Sequence, residues 1–158
     1  MTSLIKRYNE PGKWEVTIPF EKVGEEINWT GILDARQPGE YELRVVVDHR
    51  VAKTRGRVTI MAVVGKDAHA KVYGMIKIRK DAQETDDYLE LRVLTLDKSS
   101  RAVAEPELEI EANNVKASHG ASVGQVDKEQ ILYMMSRGLS KEGATNEIVK
   151  GWLGIEEL

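Results

Sequence analysis

Short stretches of alternating apolar and polar residues, separated by polar turns, fill this chain from Trp14 to about Val115. In one of them, ELEIEA, Leu108 and Ile110 alternate with glutamates. An alternation of period two predicts β-strands that have one dry face and one wet face. The pattern therefore predicts a mainly β fold for most of the chain.

The turns between these strands resemble one another and recur at intervals of 14 to 17 residues. Short strands at nearly constant spacing are typical of a β-solenoid built from stacked coils. An antiparallel sandwich spaces its strands similarly, so spacing alone leaves both architectures open. Strongly polar turns and weak hairpin signals favour the solenoid. The four clearest turns, KDAHAK, KDAQET, DKSSRA and NNVKAS, begin at Lys66, Lys80, Asp97 and Asn113.

The periodicity changes to that of helices after residue 125. Asp127 is a suitable N-cap for a first helix, Gly138 suits the left-handed residue that ends it, and Ser140 can cap a second helix. We predict two regions. Residues 1–125 form a β core that includes an N-terminal capping segment, and residues 126–158 form an αα-hairpin. The apolar faces of the two helices are predicted to be Ile131, Leu132, Met135 and Leu139, and then Ala144, Ile148, Val149 and Trp152.

The composition excludes several classes of function. The chain has no cysteine, so it has no disulfide, no thiolate nucleophile and no cysteine ligand for zinc or an iron–sulfur cluster. A net charge of −3 gives no general attraction to nucleic acid or to anionic lipid. No apolar run is long enough to span a membrane, and the N-terminus lacks a signal-peptide core, so a cytoplasmic location is expected.

Three histidines are the candidate ligands that remain. His49 follows a strand and His69 falls in a predicted turn, and both are interpreted as residues at the surface or at the end of a coil. His119 differs because its neighbours Ser118, Gly120, Ala121 and Ser122 are all small, which lets another chain approach the imidazole closely. The alternative interpretation is that these small residues only permit a tight strand-to-helix corner.

Sequence motifs for phosphate loops, nucleophile elbows and zinc proteases are absent. A carbohydrate-acting β-helix enzyme is disfavoured because such an enzyme needs carboxylates stacked over several coils. Alignment of the four turns gives one shared position a mixed set of residues: Asp67, Asp81, Lys98 and Asn114. In the first helix, Met135 is expected in the core, whereas Tyr133, Met134 and Arg137 lie outside the apolar stripe and have a composition enriched at interfaces.

The run from Lys80 to Trp152 resembles the C-terminal part of the SufB/SufD scaffold proteins of the SUF iron–sulfur cluster assembly system, and is more similar to the SufD type. The resemblance rests on KDAQETDDYLELRVLTL, and on AVAEPELEIEANNVKASHGASVGQVDKEQILYMMSRGLSKEGA with its VKASHGASVG, Gln-x-x-Tyr and SRGLS segments. A weaker likeness reaches back to about residue 45. The first 40 residues match only as generic β sequence.

This resemblance implies a right-handed parallel β-helix followed by C-terminal helices. It implies that the protein is not an enzyme, that the β-helix pairs with a SufB-like subunit or with itself, and that the helices bind a SufC-like ATPase. His119 matches a histidine at the subunit interface, near the place where a nascent cluster forms. The implied ATPase-binding residues are Gln130, Tyr133, Met134, Arg137 and Gly138.

The chain departs from the SufB/SufD pattern in two respects. It is less than half as long as a usual member, and it has no cysteine. The expected cofactor is therefore none bound by this chain alone, and at most a transient iron–sulfur cluster shared with a partner. Two functions remain open at this point: a SufD-like scaffold or accessory subunit, and an interaction module that kept the fold but lost the cluster chemistry.

Overall fold

The structure is a computed structural model that describes residues 2–158, which form nine strands and then two helices. The strands are β1 (Thr2–Tyr8), β2 (Gly12–Phe20), β3 (Glu26–Ala35), β4 (Gly39–His49), β5 (Arg55–Val64), β6 (Ala68–Ile78), β7 (Asp86–Thr95), β8 (Arg101–Ile110) and β9 (Lys116–Gln125). The helices are α1 (Lys128–Ser136) and α2 (Lys141–Leu153).

Each strand pairs in parallel with the strand two positions away in the chain. The odd strands form one sheet in the order β1-β3-β5-β7-β9, here called sheet A, and the even strands form sheet B in the order β2-β4-β6-β8. The chain thus alternates between two facing sheets and advances by one strand in each, which is a β-solenoid. This confirms the predicted solenoid followed by a helical pair, and excludes the antiparallel sandwich.

One coil of the solenoid contains two strands and two turns. Asp86 pairs with Arg55 on one side and with Lys116 on the other, so a coil takes about 30 residues, as solenoid repeats do. The predicted equivalence of all four turns is therefore wrong, because consecutive turns lie at opposite edges of the solenoid. Turns stack on the next turn but one: the Asp67 amide donates to Ser99 Oγ at 2.9 Å, and the Glu84 amide donates to the Asn114 carbonyl at 2.6 Å.

The main core lies between the two sheets and consists of columns of aligned side chains. Leu43 pairs with Val72 in sheet B, and Ile60 pairs with Leu91 in sheet A, all of them buried. The predicted N-terminal capping segment is not a separate cap, because its residues form regular strands of the first coils, and three aromatic residues there belong to the core. Phe20 in β2 is fully buried. The other two are Trp14, which packs on Tyr8 at 5.5 Å between ring centroids, and Trp29, which is buried in β3.

A second apolar cluster attaches the helical hairpin to the outer face of sheet A. Met61, Val63 and Leu94 on the sheet pack with Ala144 and Val149 of α2. Polar contacts add to this packing: Arg36 Nη1 donates to Asn146 Oδ1 at 3.3 Å, and the Arg92 guanidinium lies 5.0 Å from the ring of Trp152. The hairpin therefore covers the side of the solenoid and leaves its C-terminal end open.

The helix ends follow the predicted capping chemistry. Asp127 accepts a hydrogen bond from the Glu129 amide at 2.8 Å, and Ser140 Oγ accepts one from the Gly143 amide at 3.0 Å. Gly138 has a φ of 103°, a value that side chains disfavour. No helix among residues 2–158 has the length and apolar character that a bilayer span requires.

Candidate functional site

His119 lies in the middle of β9, not at a strand-to-helix corner. It pairs with Leu89, which pairs in turn with Val58 of the preceding coil, and both of these side chains are buried on the inner face of sheet A. Paired residues of a parallel ladder point to the same face. The imidazole therefore continues an inner column, yet it is exposed because β9 is the last strand of its sheet.

The small residues around His119 have a separate structural reason. Gly120 lies under the side chain of Tyr88, whose hydroxyl would be 2.9 Å from a methyl group at position 120. Ala117 and Ala121 share the inner face with His119, and they leave its imidazole without bulky neighbours along β9. The strand therefore presents one large polar side chain in a row of small ones.

The backbone edge of β9 is available for pairing. In a parallel ladder, the N–H and C=O of one residue point to the same neighbouring strand, and this direction alternates along the chain. The Lys116 amide donates to Thr85 at 2.8 Å and the Val126 amide to Thr95 at 2.9 Å, so the even-numbered residues of β9 bond to β7. The backbone N–H and C=O groups of the odd-numbered residues lie in the plane of the sheet and point away from β7, where no described strand pairs with them. These residues are Ala117, His119, Ala121, Val123 and Gln125.

Strand β8 also ends its sheet, but its edge is interrupted. The Glu111 amide donates to the Ile78 carbonyl at 2.9 Å, so the even-numbered residues of β8 face the open edge. Pro106 is one of them, and it has no N–H to offer there. Beside these edges lie apolar side chains that a following coil would cover: Leu108 is 39% exposed, Ile110 41% and Val123 55%.

His119 has no set of further ligands near it on this chain. Among residues 2–158, no group of three or more histidine, cysteine, aspartate or glutamate side chains is placed to hold a metal ion. The two other histidines are engaged elsewhere. His69 is the second residue of β6, not part of a turn as predicted, and its Nδ1 lies 2.6 Å from Glu40 Oε1.

His49 differs most from the sequence interpretation. Its predicted place at a coil end agrees with the structure, since His49 is the last residue of β4, but the predicted exposure at the surface is wrong, because the side chain is completely buried. The signal was present in VVVDHR, because Val45, Val47 and His49 continue one period-two alternation and therefore share the inner face.

The residues predicted to bind a partner form a continuous surface on the hairpin. Gln130, Tyr133 and Met134 line one groove between α1 and α2, with a volume of 490 Å³. The Arg137 guanidinium lies 5.8 Å from the ring centre of Tyr133, which is 63% exposed, and Gly138 follows as an exposed residue.

The apolar stripe predicted for α1 is partly wrong. Ile131 is buried, but Leu132 is 64% exposed and Met135 is 39% exposed, whereas Met134 is half-buried against the hairpin core. Ile131 is the buried residue of α1 because it belongs to the apolar cluster that α1 shares with α2 and with Leu94 on the outer face of sheet A.

Leu132 and Met135 line a second groove of 500 Å³, between α1 and the β7–β8 turn. Lys98, Lys128 and Lys141 stand around it. Its one acidic residue, Asp97, has a pKa held below the usual value by hydrogen bonds from the backbone and side chain of Ser99. The hairpin therefore exposes two grooves, one on each side of α1.

Comparison with known proteins identifies the family of this chain. Residues 14–152 match the family model described as the SufBD core domain of SUF system FeS cluster assembly. The chain belongs to the SufBD family. This confirms the resemblance derived from VKASHGASVG and SRGLS.

The relatives within the SufBD family include two SufD proteins. The chain is 32% identical to the iron-sulfur cluster assembly protein SufD of Escherichia coli (strain K12) over 108 residues, which cover 68% of this chain and 26% of that protein. It is 41% identical to SufD of Bacillus subtilis (strain 168) over 91 residues, which cover 57% and 21%. An iron-sulfur cluster assembly SufBD family protein of Archaeoglobus fulgidus is 45% identical over 76 residues, which cover 48% and 21%. The chain thus spans about a fifth to a quarter of the length of these curated relatives.

Proposed function

We propose that this protein is a non-catalytic, SufD-like scaffold or accessory subunit of iron–sulfur cluster assembly that acts in the cytoplasm. It pairs through the open end of its solenoid with a SufB-like subunit or with a second copy of itself. It binds a SufC-like ATPase through its helical hairpin. The observation that carries this proposal is His119: an exposed imidazole on the inner face of the last coil, beside an unpaired strand edge.

The proposed pairing follows from what the open end lacks. An unpaired edge and an exposed apolar core end favour association with another strand. The free N–H and C=O groups of β9 supply hydrogen bonds, and Leu108, Ile110 and Val123 supply apolar area. A partner strand added there would lie directly beside His119, so that the imidazole becomes a group shared by two subunits.

The proposed chemistry needs a contribution from the partner. Imidazole is one ligand type, and iron–sulfur clusters are held mainly by thiolates. Because this chain has no cysteine, the thiolates for a shared cluster come from the SufB-like subunit, and His119 adds a nitrogen ligand or a proton acceptor at the interface. The cluster is the cargo of the assembly and not a resident cofactor of this chain.

The test is anaerobic reconstitution of the complex with iron and sulfide, with a cysteine-bearing SufB-like subunit and a SufC-like ATPase present. His119→Ala should lower the cluster absorbance recovered per complex. The matched control is His69→Ala, since His69 is also exposed but lies in β6, paired with Glu40, away from the open end. Equal loading in both variants would leave the second function, an interaction module without cluster chemistry, which the absence of cysteine favours.

The hairpin is tested by binding of the ATPase. Tyr133→Ala and Arg137→Ala should each reduce its retention in a pull-down, because both side chains are exposed at the C-terminal end of α1. Tyr73→Ala is the control, since Tyr73 makes a similar contact with Arg44, at 4.6 Å, on the outer face of sheet B. Retention of the ATPase by the two α1 variants at the level of Tyr73→Ala would contradict the proposed docking surface.

A further inference from the structure

The groove between α1 and the β7–β8 turn has no part in the proposed function. It has a volume of 500 Å³ and is lined by three lysines: Lys98 of the turn, Lys128 of α1 and Lys141 of α2. We call it the lysine groove. Residues proposed to bind the ATPase, such as Gln130 and Tyr133, line the groove on the other side of α1. The lysine groove is therefore a separate surface of the hairpin.

The apolar part of the lysine groove is left in contact with solvent. Leu132 and Met135 both line it, and they are 64% and 39% exposed. Residues three positions apart on a helix are neighbours on its surface, so these two form one apolar strip. Neither packs on the apolar cluster that attaches the hairpin to sheet A, whereas Ile131 beside them does. A contiguous exposed apolar strip is typical of an interaction site.

The three lysines of the groove have no acidic partner in the part of the chain that the structure describes. Lysines elsewhere do form ion pairs, such as that of Lys77 with Glu109 at 2.9 Å. Lys98, Lys128 and Lys141 form no such pair with any residue from 2 to 158. Their charges are therefore available to a ligand.

The one acidic residue that lines the lysine groove is engaged within its own turn. Asp97 Oδ1 accepts hydrogen bonds from the backbone N–H and the hydroxyl of Ser99, at 2.9 and 2.8 Å. These bonds lower the pKa of Asp97, and the charges of Lys66 and Lys141 lower it further. Three lysines against one aspartate leave the groove positive, although the whole chain has a net charge of −3.

The groove on the other side of α1 has the opposite charge. Asp127, Glu129 and Glu147 line it, with no lysine or arginine among its lining residues. The positive charge is therefore a property of the lysine groove and not of the hairpin as a whole. Complementary charge selects the partners of a surface and fixes their orientation. A ligand that matches the lysine groove is therefore acidic as well as apolar.

The shape of the lysine groove favours a protein segment over a small molecule. Sites for small molecules enclose most of the surface of their ligand. Leu132 is mostly exposed, so the groove covers only one face of what it binds. That is sufficient for a helix, which places one apolar face in a groove and keeps the rest in water.

We propose that the lysine groove binds an amphipathic helical segment of a partner protein. The apolar side chains of this segment cover Leu132 and Met135, and its carboxylates pair with the three lysines. The inference goes beyond the proposed scaffold function and does not depend on it, because the ATPase is assigned to the other side of α1.

The first experiment selects ligands from a random peptide library displayed on phage, with the full chain immobilised. Peptides that also bind Leu132→Ala are removed, because they bind elsewhere on the protein. The expected consensus has apolar residues at helical spacing, flanked by aspartate or glutamate. A consensus without acidic residues, or no enrichment over Leu132→Ala, would overturn the proposal.

The second experiment measures the Kd of the synthetic consensus peptide by fluorescence anisotropy. Leu132→Ala should raise this Kd by about tenfold, because the buried apolar area of the complex decreases. Lys98→Gln combined with Lys128→Gln should raise it by about fivefold and reduce its dependence on salt.

The matched controls are Leu4→Ala on β1 and Lys71→Gln on the outer face of sheet B, which should leave the Kd of the peptide unchanged. Every substituted residue is exposed, so all variants should keep the melting temperature of the unchanged protein. If the double lysine variant bound the peptide as tightly as Lys71→Gln does, the role of charge would be refuted.

Two other occupants of the groove would give different results, and either result would overturn the proposal. A second copy of the chain would produce self-association in sedimentation velocity that Leu132→Ala abolishes. A small amphiphilic anion would be indicated if decanoate bound in a manner that depends on Leu132 while the library gave no acidic consensus.

Discussion

Ala121→Pro tests whether the open edge of β9 is the surface through which subunits pair. The N–H of Ala121 points away from β7, so proline there removes no hydrogen bond within the chain. The protein already tolerates the equivalent arrangement at Pro106 on the edge of β8. We expect Ala121→Pro to fold with a melting temperature close to that of the unchanged protein.

The same substitution should weaken pairing by a magnitude that the ladder geometry sets. A carbonyl of the added strand would lose its donor, at a cost of about 1–3 kcal/mol. This corresponds to a dissociation constant raised by a factor of about 5 to 150 for a partner subunit. In a two-fold symmetric pair of identical chains, both copies carry the change, and the free-energy cost doubles to about 2–6 kcal/mol.

Sedimentation velocity measures self-association, and titration calorimetry with a cysteine-bearing SufB-like subunit measures the mixed pair. Ala121→Val is the first control, because it adds a similar side-chain volume and keeps the N–H. Ser122→Pro is the second, because its N–H faces β7 and its loss should lower the melting temperature. An unchanged dissociation constant for Ala121→Pro would show that this edge is not used.

Two further substitutions test the interior and the ion pairs of one buried aspartate. Gly56→Ala should destabilise the fold by more than about 1 kcal/mol in chemical denaturation, because the new methyl group would lie 2.6 Å from the carboxyl carbon of Asp87. The control is Gly124→Ala, which should be nearly neutral because the space around position 124 is open. Hydrogen bonds from Arg79, and then from Arg50, hold the pKa of Asp48 below its usual value. That contribution to stability is present above the pKa of an unfolded aspartate and is lost as pH falls through the lowered pKa, so Asp48→Asn should flatten the acid limb of a stability-against-pH curve. Identical acid limbs would contradict this reasoning.

The strands and helix ends could be predicted from sequence because short-range chemistry determines them. The alternation around Leu108 predicts a strand from five or six residues alone, and the caps at Asp127 and Ser140 depend on atoms within three residues. The SufBD family assignment also came from sequence, since VKASHGASVG and SRGLS are specific in order and spacing.

Other features depend on residues about 30 positions apart, and only the folded chain brings those together. Local alternation places His49 on the same face as Val47, but whether that face is buried depends on Phe20 and Asp87 in other coils. Likewise, α1 buries Ile131 and exposes Met135 because α2 and sheet A determine which of its faces is covered.

The sequence by itself determined the strand period, the helix boundaries and the absence of thiolate ligands, since each of these is a property of neighbouring residues or of composition. The tertiary structure decided that each strand pairs in parallel with the strand two positions away, which makes β9 an edge strand of sheet A. His119 is exposed for that reason: its column of aligned side chains ends at β9, the last strand of its sheet. Register between coils arises from long-range packing of the whole core, which no short segment encodes.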